Sequence, residues 1–167
     1  LAGEGAEVAS SAREVAERVG DGLVFLSLHN AGSVAEVVEG KDGLFAGLAA
    51  GSKVVDMGST AVEPTRAWHE KALGIGSDWI DAPVSGGQKG AREANLTIMA
   101  GGLEESVEAI RPVLEILGTT LTYIGPSGAG QCAKLANQII VASTIASLSE
   151  AFLLCRENGV DLKAARS

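Results

Sequence analysis

The segment KLANQ places Lys134, Asn137 and Gln138 at i, i+3 and i+4. On a helix those positions share one face, so an amine and two amides project together. Lys134 stands near the start of that helix, where the positive end of the macrodipole disfavours an ammonium, and burial acts in the same direction. An amine held in this way can take and return a proton. The same lysine also reads as a surface residue snorkelling from a connector helix, and spacing alone leaves both readings open.

A second candidate is DWIDAPVSGGQKGA, Asp78 to Ala91. Trp79 and Ile80 read as the end of a strand that stops at Asp81. Pro83 lacks an N–H, so regular pairing is expected to end there. Beside Ser85, Gly86 and Gly87 permit positive φ and close backbone approach. Successive N–H groups in such a turn make a concavity suited to an anion such as a carboxylate. The plainer alternative is a tight strand-to-helix crossover. Ser85 has little support as a hydrolase nucleophile, because neither histidine, His29 or His69, neighbours it in sequence.

Thr60, in DMGST, follows an apolar run and opens a helix, the place where open α/β sheets put their ligand crevice. Its spacing to Glu63 also makes it a candidate N-cap. The LHN stretch, Leu28 to Asn30, sits at another strand's carboxyl end and reads equally as an ordinary loop. No metal-ligand spacing and no Walker-type loop is found. GPSGAGQ, Gly125 to Gln131, is a glycine cluster at the far end of the predicted sheet, a weak match to a dinucleotide-binding turn.

These residues need elements to hold them. Ser11 with Glu14, and Ser33 with Glu36, have the spacing of helix capping boxes, and Gly20 stops the first of these helices. LVFLSL and KVVDM read as strands buried on both faces. A helix from Thr60, strands ending at Asp81 and at LTIMA, a helix kinked at Pro112 and a strand at LTYIG complete an alternating α/β pattern with a largely parallel sheet. From Gln131 to Asn158 no Gly or Pro intervenes. That predicts a helix of roughly 28 residues, near 42 Å long, and its apolar middle predicts burial between two bodies of protein.

The totals are those of a globular domain: 167 residues, 46% hydrophobic and 20% charged, with a net charge of −8. Nucleic acid and anionic membranes need basic patches, so neither is expected as a partner. The apolar run Ile139 to Leu154 is broken by Ser143, Thr144, Ser147, Ser149 and Glu150, short of a clean bilayer span. No charged-then-apolar leader opens the sequence, so no secretion signal is expected. Cys132 and Cys155 fall too far apart on one helix to bridge, which predicts buried free thiols and a cytoplasmic protein.

Together, DAPVSGG, GAGQCAKLANQ and VVDMGST resemble, in order and spacing, the NAD(P)-dependent β-hydroxyacid dehydrogenases of the 3-hydroxyisobutyrate dehydrogenase type. KLANQ is most similar to the tartronate semialdehyde reductase branch. The resemblance implies a Rossmann-like fold and hydride transfer between NAD or NADP and a small β-hydroxyacid or semialdehyde. It implies Lys134 as general acid/base, and Ser85, Gly86, Gly87, Asn137 and Gln138 as the binders of a small carboxylate substrate. Leu28, His29, Ser59 and Thr60 would line the cofactor cleft, and a homo-oligomer, dimer or tetramer, would be the working form.

Two substitutions depart from the family pattern, His29 for Pro and Ala94-Asn95 for Gly-Thr. The family also opens with a strand, a GxGxxG turn and a helix that seats the pyrophosphate; the match starts after them, implying about fifty residues in front. An all-helical domain is implied behind. Residues 1–125 are therefore expected to form a partial NAD(P)-binding domain, and 126–167 a long interdomain helix with the start of the helical domain. The alternative is a non-catalytic binding or oligomerisation fragment derived from that family.

Overall fold

The computed structural model describes residues 2–166. It divides into two compact units, Leu1–Lys134 and Leu135–Ser167.

The first unit alternates helix and strand. Helix α1 (Ala12–Val19) starts at Ser11, whose side chain accepts the Glu14 N–H, and ends at Gly20, as the capping spacing predicts. Strand β1 (Leu23–Leu26) leads into α2 (Ala31–Glu39), and β2 (Lys53–Asp56) into α3 (Val62–Ile75). Then come β3 (Asp78–Asp81), β4 (Val84–Ser85), a short α4 (Gly87–Arg92) and β5 (Leu96–Gly101). Helix α5 (Glu104–Leu114) and strand β6 (Gly118–Gly125) follow.

The six strands form one Rossmann-like sheet in the order β1-β2-β3-β5-β4, with β6 also paired to β5. β1, β2 and β3 run parallel, as do β5 and β6, but β5 is antiparallel to β3 and β4. The sheet is thus mixed. Pairing does not end at Pro83: its carbonyl accepts from Met99 N, and Val84 and Ser85 then pair with Ile98 and Thr97. Proline removes only its own donor, so a carbonyl partner lets the ladder resume.

Two apolar cores cover the sheet faces. One joins Val24, Leu26, Val54 and Trp79 to Ala16, Val34 and Trp68; the other joins Val55 and Ile80 to Val107, Ile110 and Leu114. β2 is buried on both faces, as its apolar run predicts. β1 is not: it lies at the end of the sheet order, and Phe25 is 40% exposed.

Three local expectations change. Asn30, not Ser33, caps α2, its Oδ1 accepting the Ser33 N–H at 2.9 Å, so LHN is a helix start. Thr60 does not cap α3, which begins at Val62 without a side-chain cap. Pro112 lies inside the last turn of α5, which continues to Leu114.

Helix α6 (Ala129–Glu157) runs 29 residues, its first turns in the first unit and the rest in the second. In the second unit its apolar middle is exposed rather than buried, Ile139, Ile140 and Leu154 among it. By length and composition this helix would reach across a membrane, with a mean hydropathy of 1.6. That differs from the reading of its serines as interruptions. Cys132 is exposed and Cys155 half-buried, and both are free. Helix α7 (Leu162–Arg166) ends the unit, with Asp161 Oδ1 accepting the Lys163 N–H.

Candidate functional site

Two neighbouring parallel strands, β2 and β3, each end in a fully buried aspartate. Neither residue contributes apolar burial, so each must be justified by what it bonds. Asp56 Oδ1 accepts from Gly58 N at 3.0 Å, and its Oδ2 from the Thr60 hydroxyl at 3.3 Å. Asp81 Oδ1 accepts from Gly128 N at 2.8 Å, and its Oδ2 from Gln131 N at 2.9 Å. One carboxylate therefore shapes the turn after β2. The other anchors the start of α6, where the helix dipole favours negative charge.

Because the N-terminal donors of α6 are taken by Asp81, GPSGAGQ is an anchored helix start rather than a pyrophosphate cradle. The approach is close. A Cβ at Gly130 would lie 2.8 Å from the Asp81 carbonyl oxygen and 2.9 Å from Asp81 Oδ2. Glycine is needed there for space.

Gln131, also fully buried, bridges the two carboxylate systems. Its Oε1 accepts from Thr60 N at 3.0 Å, and its Nε2 donates to Gly58 O at 2.8 Å. Burial raises the Asp56 carboxyl to about 6, against the opposing pull of the Gly58 N–H and the Thr60 hydroxyl; the Asp81 charge adds to the rise. Burial raises Asp81 too, while the N–H groups of Gly128, Gln131 and Gly130 pull it down.

Lys134 follows Gln131 by one helical turn and is 8% exposed. Its side chain has no hydrogen-bond or ion-pair partner among the described residues. A lysine with a buried stem and no protein partner for its amine leaves that amine available to solvent or to a ligand. The stem is covered by the protein, while Nζ is not among the fully buried polar atoms, the arrangement in which a lysine amine reaches solvent or a ligand.

The other expected residues are placed as follows. Ser85 is half-buried in β4, paired with Thr97. Gly86 and Gly87 have φ of 133° and 59°, the left-handed region their sequence predicts. A Cβ at Gly87 would meet nothing within 4 Å, whereas one at Gly86 would lie 3.1 Å from Leu96 Cδ2. Leu28 is half-buried, while His29 and Ser59 are exposed. Thr60 is buried, its N–H and hydroxyl both engaged within the protein. Asn137 is half-buried and Gln138 exposed, both in the second unit. No cluster able to hold a metal occurs among the described residues.

Sequence reasoning missed Asp56 and Gln131 and saw Asp81 only as a strand end. The available signal was an acidic residue closing each of two apolar strand runs, with an amide at a helix start.

Residues 1–125 match the family model of the NAD binding domain of 6-phosphogluconate dehydrogenase. The chain belongs to this family. Residues 128–167 match the NAD-binding model of NADP-dependent 3-hydroxyisobutyrate dehydrogenase. The NAD(P)-dependent hydroxyacid dehydrogenases are thus its relatives. Among them, 2-hydroxy-3-oxopropionate reductase of Escherichia coli K12 is 40% identical over 157 residues, covering 94% of this chain and 53% of the relative. 2-(Hydroxymethyl)glutarate dehydrogenase of Eubacterium barkeri is 38% identical over 151 residues, covering 90% and 50%. The structure of Mycobacterium tuberculosis 3-hydroxyisobutyrate dehydrogenase with L-serine superposes with a TM-score of 0.86 at 33% identity, covering 96% of this chain and 53% of that one. The chain spans about half the length of the curated relatives it matches.

The carboxyl ends of parallel β1 and β2 lie side by side and present Leu28, His29 and Ser59, the kind of crevice in which open α/β sheets bind nucleotides. One departure from the family pattern also has a structural correlate. Ala94 has a φ of 51°, a left-handed conformation that the family's usual glycine adopts without steric cost.

Proposed function

We propose that this chain is the part of an NAD(P)-dependent β-hydroxyacid dehydrogenase that handles the substrate proton and one side of the nucleotide. The observation that carries this reading is Lys134, a largely buried side chain whose amine has no protein partner among the described residues, on a helix start fixed by Asp81. When bound, NAD(P) supplies the hydride acceptor, or in the reverse direction the donor. The Lys134 amine takes the substrate hydroxyl proton as the carbonyl forms and returns it in reduction. The backbone N–H groups at Gly86 and Gly87, with the Ser85 hydroxyl, hold the substrate carboxylate. Asn137 and Gln138 orient the substrate, while Leu28, His29 and Ser59 border the nicotinamide side and Thr60 shapes it from beneath.

The substrate class is a small carboxylate carrying a β-hydroxyl, or the matching semialdehyde. The reductase from E. coli and the mycobacterial enzyme solved with L-serine support this class by name. The test supplies the protein with NAD+ or NADP+ and a panel of small β-hydroxyacids, following nucleotide absorbance. Reduction with the free acids and its loss with their methyl esters is the expected outcome. No reduction with any member of the panel would overturn the reading.

A second reading, a non-catalytic binding or oligomerisation module, is favoured by the exposed apolar middle of α6. Saturable self-association together with an absence of nucleotide binding would select it.

A further inference from the structure

Lys134 carries no bond of its own, so something else must decide where its amine stands. The nearest fixed point on α6 is one turn earlier, at Gln131. Three hydrogen bonds hold that residue: its N–H to Asp81, its Nε2 to Gly58 O and its Oε1 from Thr60 N. Two of the three are made by the side chain, and both go to the turn after β2. The Asp56 carboxylate holds the same turn from the other side, through Gly58 N and the Thr60 hydroxyl. Asp81 holds the helix to β3 but makes no bond to that turn. Gln131 is therefore the only side chain among the described residues of α6 that hydrogen-bonds the turn between Gly58 and Thr60.

We propose that Gln131 is a positioning residue whose amide ties the Gly58–Thr60 turn to the first turn of α6 and so sets where the Lys134 amine stands. This rests on the reading of Lys134 as the proton carrier, and it deepens that reading. The turn carries exposed Ser59 toward the nucleotide side, so one amide couples the two halves of the reaction. A change at the nucleotide side would reach the lysine through two hydrogen bonds and one helical turn.

The test replaces the amide while keeping its bulk. Gln131→Met leaves Thr60 N–H and Gly58 C=O without partners; Gln131→Asn keeps the amide but shortens its reach. On the folded chain without nucleotide, lysines are labelled with an amine-reactive reagent and read by mass spectrometry, with exposed Lys41 and Lys163 as internal references. Labelling of Lys134 relative to those references should rise about tenfold in Gln131→Met, the factor expected from losing one to two buried hydrogen bonds, and less in Gln131→Asn. In turnover assays kcat should fall while KM for the hydroxyacid stays within a factor of about three, because ground-state binding is untouched.

Unchanged relative labelling in folded variants would overturn the proposal. So would a rise shared equally by all lysines, which would mean general loosening. If the wild-type protein turns over no hydroxyacid, the functional reading fails, and the labelling arm still decides whether Gln131 positions Lys134.

Discussion

The first turn of α6 and the middle of the same helix obey different rules. Around Gly128 to Lys134 the helix is rich in small and polar residues, yet Gly130, Gln131 and Lys134 are buried. Between Ile139 and Leu154 it is strongly apolar, yet Ile139 and Leu154 are 68% and 67% exposed. Composition alone would have assigned burial the other way round. In the first stretch, the buried Gln131 amide and the carboxylates of Asp56 and Asp81 are each held by hydrogen bonds at both of their polar atoms. The second stretch has no such directional partners, so its apolar character describes a surface available for covering.

Gly130 should give the largest effect. A side chain there would collide with backbone and with the Asp81 carboxylate, so Gly130→Ala should destabilise the first unit by about 3 kcal/mol or more. Urea unfolding measures it, and a change below about 1 kcal/mol would show that the helix start is not tightly seated.

Asp56 gives the next effect, through pH. Burial pushes its folded carboxyl up to about 6, above the ordinary aspartate range. The folded state thus binds the proton more tightly than the unfolded chain. Stability from this group should be fully present at low pH and be lost as pH rises from about 4 to about 6, by at most about 3 kcal/mol. Asp81 shifts in the same direction. Glu14, held down at about 2 first by the Ser10 hydroxyl, acts with the opposite sign at lower pH. Asp56→Asn should flatten the slope between pH 4 and 6 while keeping the bond from Gly58 N. An unaltered slope would remove Asp56 from the account.

The smallest effect belongs to the other half of the comparison. Ile140 is 64% exposed, so Ile140→Lys should change the unfolding free energy by less than about 0.5 kcal/mol. A loss of several times that size would mean that the apolar stretch is already covered in solution.

Much of this was legible in the sequence, and the gaps have physical causes. The capping signal at Ser11, the positive φ at Gly86 and Gly87, and the long helix all follow from local chemistry. The Thr60 cap was misread because its hydroxyl is claimed by Asp56, a tertiary partner that outbids a local one. The resumed pairing after Pro83 depends on β5, which arrives from later in the chain. Among site residues, Lys134 stood out by its neighbours in sequence. Gln131 and Asp56 did not, because their roles exist only once β2, β3 and α6 converge. Local patterns announce the groups that react; long-range bonds place them.

The most direct test of the central claim is Lys134→Ala, read by single-turnover hydride transfer alongside nucleotide binding in the same protein. Transfer should slow by about 10²–10⁴-fold, the range for removing a general acid/base. Nucleotide affinity should stay within a factor of about three, because the lysine handles the substrate proton and not the cofactor. Transfer at near wild-type rate, with the nucleotide bound as before, would contradict it.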